Sequence, residues 1–292
     1  MSVARLLELY RLHQEGRFWK LGSPWIEVPL LPEEYEELRA QLKNDRGLWC
    51  YVKEEIQQEY DREARKITIR YPGHHSYVAF TCRIINDIIR QLIEIQDGHD
   101  DVADIARDIW PRVQSYVLLH GTVHYPDASF LFESDDFPRM VIEVSSPLKR
   151  KYLPYLAHDY IAGSRGNIEL VIGLNIDHWG SKKASISVWR PGSTKGDDGR
   201  DVLTCVQTLK NHCFRSEDGS AVEGNLAFQL RDFVPPKAAY RITGMDIPIV
   251  IPYSKLTQYL DYAESRYAKD QQTLEEGGLV TRKRYRGTYT FR

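Results

Sequence analysis

Cysteine is scarce in this chain. Four cysteines occur among 292 residues, and no two of them form the C-x-x-C pair that is typical of zinc sites. Four thiols in a chain of this length do not suggest a disulfide-stapled scaffold either. We therefore expect reduced cysteines in an intracellular protein.

Long apolar runs are also absent. No run approaches the roughly 18 residues that a membrane-spanning helix needs. The N-terminal segment MSVARLLELYRLHQEGRFWK lacks the apolar core and the small-residue cleavage site of a signal peptide. These absences predict no membrane partner and a cytoplasmic or nuclear location.

The chain has no excess charge of either sign. Its 39 basic and 41 acidic residues leave a formal net charge of −2. A basic field over the whole protein is therefore excluded, and nucleic acid would have to bind through a local basic patch.

What the chain does have is an alternation of predicted helices and strands. Helical periodicity runs from His74 to about Gln96 and returns over 149–162, where Pro154 could delay the helix start. Apolar strand patterns are found at 128–132, 140–144, 168–176 and 184–189. This order predicts an α/β (α+β) fold with a mixed central β-sheet flanked by helices.

Three regions follow from these patterns. They are an N-terminal helical or irregular extension over 1–65, a core over 66–252, and a C-terminal helix with a basic tail over 253–292. Within the extension, residues 49–61 are ambiguous and could form a strand that runs into a short helix.

Two acidic residues lie in apolar strand patterns. Asp127 follows Pro126 at the start of one strand, and Glu143 lies sixteen positions later in Met-Val-Ile-Glu-Val. A carboxylate is costly to bury unless its charge is compensated. Two carboxylates from adjacent strands could share a Mg²⁺ ion. Taken alone, a Pro-Asp pair is common in turns, and a single Glu in a strand usually lies at an edge or faces solvent.

The motifs P-D-A-S-F-L-F and V-I-E-V-S-S-P, followed by a helix and I-E-L-V-I-G-L, resemble the PD-(D/E)XK nuclease superfamily. The pattern is most similar to the Uma-type restriction endonuclease-like proteins and covers about 66–190. The resemblance implies a restriction-endonuclease-like core with added N- and C-terminal helices. It also implies that Asp127 and Glu143 bind Mg²⁺ or Mn²⁺, and it matches Tyr160 to the family's helix tyrosine.

The sequence departs from that pattern at three positions, of which one is Leu156, where the Uma-type group often has a lysine one helical turn before the helix tyrosine. Most of the superfamily has a lysine two residues after the second acid, where this chain has Ser145. Lys149 and Lys151, at the start of the following helix, are the nearest replacements, and a solvated basic helix start is the alternative. The family's first-helix acid corresponds to His74, which could ligate a metal or simply begin a helix.

These features predict a metal-dependent nuclease with Asp127, Glu143, Ser145, Lys149 and Lys151 in its active site. Its partner would be nucleic acid, with DNA favoured over RNA, and a homodimer is one assembly that the sequence allows. The alternative is a catalytically inactive module on a nuclease fold that binds nucleic acid or protein, since fold alone does not determine function.

Overall fold

The computed structural model describes residues 3–14, 25–70, 75–113, 115–119, 122–133, 135–145, 150, 152–177, 181–196, 199–240 and 242–277. The predicted basic tail at the C-terminus lies outside these residues. Among the described helices, none is long and apolar enough to cross a membrane.

A three-stranded antiparallel sheet organises the N-terminal part of the chain. The elements here are α1 (Val3–Gln14), β1 (Trp25–Pro29), α2 (Pro32–Asn44), α3 (Arg46–Glu55), β2 (Gln57–Asp61) and β3 (Lys66–Arg70). The strand order is β1–β3–β2, so β3 pairs on both sides. Because β3 begins at Lys66, this sheet crosses the predicted boundary between the extension and the core.

Residues 49–61 form a helix followed by a strand, which is the reverse of the order suggested by the sequence. Asp45 explains the early helix start, because its Oδ1 atom accepts a 3.1 Å hydrogen bond from the Leu48 N–H at the N-terminus of α3. Gln57–Asp61 then pairs with β3 along its whole length.

The remaining elements follow in chain order. They are α4 (His75–Gln96), α5 (Asp101–Arg107), β4 (Ile109–Val113), β5 (Val117–Leu119), β6 (Thr122–His124), β7 (Ala128–Phe132), β8 (Met140–Ser145), α6 (Leu153–Gly163), β9 (Leu170–Ile176), β10 (Ala184–Lys195), β11 (Asp201–Arg215), β12 (Asn225–Gln229), α7 (Pro236–Ala239), β13 (Pro248–Pro252) and α8 (Tyr253–Gly277).

Six of these strands form the central sheet, in the order β11–β10–β9–β8–β7–β4. Strands β8 and β9 run parallel, whereas the other neighbouring pairs are antiparallel. The predicted mixed sheet is therefore confirmed. The predicted strands at 128–132 and 140–144 correspond to β7 and β8, and Pro154 stands in the first turn of α6 as expected.

Helices cover both faces of this sheet. On one side, here called the α4 face, buried residues of α4 and α8 share a core with the even-numbered residues of β8 and β9: Phe80, Ile88, Leu256, Ile142 and Ile172. On the other side, the α6 face, a second core contains Leu153, Tyr160, Val141, Val171 and Trp189. The odd-numbered residues of β8 and β9 therefore point to the α6 face.

Candidate active site

Glu143 lies within β8, and Asp127 directly precedes the neighbouring strand β7 of the central sheet. Strands β7 and β8 pair with Ala128 opposite Ile142, and one further step in this register places Asp127 opposite Glu143. Residues that are directly opposite in an antiparallel pair project from the same face. Both carboxylates therefore lie on the α6 face, near the carboxyl end of β8.

Each of these carboxylates accepts a hydrogen bond that fixes its position. The Val144 N–H donates to Asp127 Oδ2 at 2.7 Å, and the Tyr160 hydroxyl donates to Glu143 Oε1 at 2.7 Å. Glu143 is fully buried, whereas Asp127 is half-buried. Hydrogen bonds to ionised groups are stronger than neutral ones and help to offset the cost of burial. The geometry thus holds one interior and one accessible carboxylate side by side.

A second layer of polar residues links this pair to the N-terminal sheet. The His124 ring lies 5.4 Å from the Tyr160 ring, and His124 Nδ1 lies 3.6 Å from Glu59 Oε2, which is too long for a hydrogen bond. Glu59 Oε1 accepts a 3.2 Å hydrogen bond from the Tyr125 N–H. Glu59 on β2 therefore anchors the segment that leads into Asp127.

Ser145 occupies the position where the resembling family has lysine. Its side chain is buried, and its Oγ donates to Asn175 Oδ1 at 3.1 Å. Asn175 Nδ2 donates in turn to Asn211 Oδ1 at 3.4 Å. Ser145 thus lies two residues from Glu143 on the same face, and its hydroxyl donates to the neutral amide of Asn175.

The other residues predicted for the site are His74, Lys149 and Lys151, and all three lie outside the described residues. Arg150, between the two lysines, is described. Its guanidinium forms an ion pair with Asp177, which directly follows β9. A fixed cation therefore lies at the carboxyl ends of the parallel strands, at the same edge as Glu143. The sequence signal for this cation is the Lys-Arg-Lys run at 149–151, although the sequence predicts a site role only for its two lysines.

Asp127 and Glu143 together offer carboxylate oxygens to a metal ion. Among the described residues, no group of three His, Cys, Asp or Glu side chains is placed to hold a metal ion. Mg²⁺, however, is commonly bound through one or two carboxylates while waters and substrate phosphates complete its shell. Mn²⁺ prefers the same oxygen ligands. Asp127 and Glu143 fit these ions better than Zn²⁺, which favours nitrogen and sulfur ligands.

A separate charged cluster lies at the opposite end of β8 and β9. Buried Arg139, which precedes β8, places Nη1 3.3 Å from Glu169 Oε1 and Nε 2.6 Å from Asp135 Oδ2. Burial raises the pKa of Glu169 to about 7, although the positive charge of Arg139 acts to lower it. This carboxyl therefore titrates near neutral pH without touching the Asp127–Glu143 pair.

The chain has few recognisable relatives among known proteins. No protein-family model and no curated protein sequence matches the chain. Among solved structures, the chain is similar to a candidate nuclease belonging to DUF820 from Anabaena variabilis ATCC 29413, with 15% sequence identity and a TM-score of 0.33. The alignment covers 70% of this chain and 90% of that one. The resemblance to the Uma-type group stays a prediction, and a fold by itself does not determine function.

Proposed function

We propose that this protein is a metal-dependent phosphodiesterase that acts on nucleic acid, with DNA as the favoured substrate. The observation that carries the proposal is the pairing of Asp127 with buried Glu143 on adjacent strands, each oriented by its own 2.7 Å hydrogen bond. Two like charges that project from the same face of neighbouring strands repel each other, so this arrangement favours a cation between them. An oxygen-rich site of this kind suits Mg²⁺ or Mn²⁺.

The roles of the chain's own residues follow from their contacts. Asp127 and Glu143 would hold the metal, which when bound supplies a water of lowered pKa and stabilises charge on the phosphate. Tyr160 keeps the Glu143 carboxylate in its position, and the Val144 N–H does the same for Asp127. A cation from the 149–151 segment would contact the phosphate, with Arg150 as a further candidate beside Lys149 and Lys151.

The isosteric variants Asp127→Asn and Glu143→Gln test this proposal. We expect Mn²⁺ to raise the thermal stability of the wild type, by about 2.7 kcal/mol at a hundredfold excess over Kd, and to lose this effect in either variant. Cleavage of plasmid and single-stranded DNA should disappear in parallel. Glu169→Gln is the matched control, because it neutralises a carboxyl at the other end of the same strands. Cleavage that persists in Glu143→Gln would contradict the proposal.

One observation favours the alternative of a non-catalytic module. Ser145 leaves the usual lysine position uncharged, and its hydroxyl is already engaged with Asn175. Such a module would bind nucleic acid or protein and cleave nothing. Binding of DNA without cleavage in Mg²⁺, Mn²⁺, Co²⁺ or Ca²⁺ would support this second function.

A further inference from the structure

A β-bulge interrupts the pairing of β10 with the edge strand β11. Ile186 lies opposite His212, but Val188 lies opposite Leu209. Two steps along β10 therefore correspond to three steps along β11, so that Lys210 and Asn211 together face Ser187. Asn211 has a φ of 47°, in the left-handed region that asparagine tolerates better than most residues.

The bulge turns two consecutive side chains to the face that carries the acids. Leu209 packs against the core of the α4 face, and the His212 ring lies 5.6 Å from the Tyr253 ring in that same core. Leu209 and His212 share a face although they are three positions apart, so Lys210 and Asn211 both belong to the opposite, α6 face. The Asn211 hydrogen bonds agree with this, because its partners Asn175 and Ser187 lie there.

The bulge is also level with Glu143 across the sheet. Glu143 is opposite Gly173 on β9, and Gly173 is opposite Ser187 on β10. Strands β8 and β11 are three strand spacings apart, a distance of about 14 Å. That distance is too long for contact with the phosphate held at Asp127 and Glu143, and it suits a phosphate farther along the same strand.

Two hydrogen bonds to its carbonyl oxygen fix the orientation of the Asn211 amide. Oδ1 accepts hydrogen bonds from Ser187 Oγ at 3.2 Å and from Asn175 Nδ2 at 3.4 Å. The Nδ2 group makes no hydrogen bond within the described part of the chain, and the residue is exposed. Lys210 is exposed as well and forms no ion pair with another described residue. The bulge therefore presents an oriented amide donor beside an uncompensated ammonium group.

We propose that Lys210 and Asn211 form a phosphate-binding subsite for a nucleotide farther along the strand than the one at the carboxylate pair. The subsite rests on the proposed function, since its ligand is the same nucleic acid. Lysine supplies a point charge for a phosphate oxygen, and the amide supplies one or two N–H donors. A bulge can also serve simply to blunt an edge strand against aggregation. That role needs no side chain at position 211, which separates the two explanations.

Four substitutions at two positions test the subsite on the full-length protein. Asn211→Asp keeps the oxygen that Ser187 and Asn175 bond but replaces the donor group by a negative charge. Asn211→Gly removes the side chain and keeps a backbone suited to positive φ. Lys210→Ala removes the ammonium, and Lys210→Arg restores a charge. Lys237→Ala, at an exposed position on α7, is the charge-matched control.

The measurement is fluorescence anisotropy of a labelled 20-nucleotide single strand and its duplex, in EDTA to prevent cleavage, over a range of salt concentrations. We expect Asn211→Asp to weaken binding at least about tenfold, which is the scale of a hydrogen bond to a charged group. Asn211→Gly should weaken binding by a smaller factor. Lys210→Ala should reduce the salt-dependence slope by about 1, with recovery in Lys210→Arg and no change in Lys237→Ala.

The outcomes separate this subsite from the proposed function. Equal affinity and equal salt slope in the wild type, Lys210→Ala and Asn211→Asp would overturn the subsite even if the protein cleaves DNA. Binding that depends on both residues, without cleavage in any metal, would support the subsite and overturn the phosphodiesterase. A wild type that binds neither strand nor duplex would also overturn the subsite.

Discussion

The Tyr160 hydroxyl donates a 2.7 Å hydrogen bond to Oε1 of Glu143, a carboxylate with no exposed surface. The bond joins α6 to the middle of the sheet, so the helix that covers the α6 face also orients the acid beneath it. Breaking this contact should affect both stability and the site.

Tyr160→Phe removes the donor and keeps the ring. We expect the free energy of unfolding in urea to fall by about 1–3 kcal/mol, because a buried charged acceptor loses a partner. Tyr155→Phe on the same helix is the matched control, since Tyr155 is 71% exposed, and it should change stability by less than about 0.5 kcal/mol. Equal stability of both variants would mean that the hydrogen bond makes no net contribution.

Glu59→Ala tests the link between the N-terminal sheet and Asp127. Loss of the acceptor for the Tyr125 N–H should destabilise the protein by about 1–3 kcal/mol and reduce cleavage at temperatures where it remains folded. Glu59→Gln keeps an acceptor oxygen and should retain most of both properties. Glu63→Ala, in the exposed turn after β2, serves as the control. Destabilisation with full cleavage would restrict Glu59 to a structural role.

Arg150→Ala and Asp177→Ala separate a phosphate contact from a structural ion pair. If Arg150 contacts the phosphate, its loss should lower kcat at least about tenfold, equivalent to 1.4 kcal/mol of barrier, while Mn²⁺ affinity stays constant. Asp177→Ala breaks the same ion pair but leaves the guanidinium in place, so it should retain most of the rate. Similar rate losses in the two variants would assign Arg150 to structure alone.

Glu169 predicts a pH dependence of stability. Its folded pKa of about 7 is above the ordinary value of 4.5, so the folded state holds the proton more tightly than the unfolded chain. The stability that this group contributes is present below pH 4.5 and is lost as pH rises to about 7. Urea midpoints at pH 5 and pH 7.5 should therefore differ less in Glu169→Gln than in the wild type. A pH dependence that is identical in both proteins would refute this assignment.

The sequence was sufficient to predict β7 and β8, with Asp127 directly before β7 and Glu143 within β8. Apolar runs that contain Asp127 and Glu143 define buried strands, and strand neighbours so close in the chain often pair directly. It did not predict Arg150 or the order of helix and strand over 49–61. There the N-cap at Asp45 outweighed the β-like composition of the segment that follows.

Contacts that depend on long-range register could not be predicted. Glu59 meets Tyr125 across 66 positions, and Asn175 meets Asn211 across 36. Periodicity gives the face on which a residue lies but not its opposite partner, and a bulge changes even the face. The Lys210–Asn211 pair is of this kind, because its orientation depends on one extra residue in β11.

The position of β3 between β1 and β2 limits how the chain can be divided. A fragment that starts at Lys66 would retain the middle strand of that sheet and lose both neighbours. Two rows of backbone N–H and C=O groups would then be unpaired, which is the pattern that templates aggregation between molecules. The same truncation would remove Glu59, which accepts the hydrogen bond from the Tyr125 N–H. Soluble expression and an ordered Asp127 segment should therefore require the N-terminal strands in the same polypeptide.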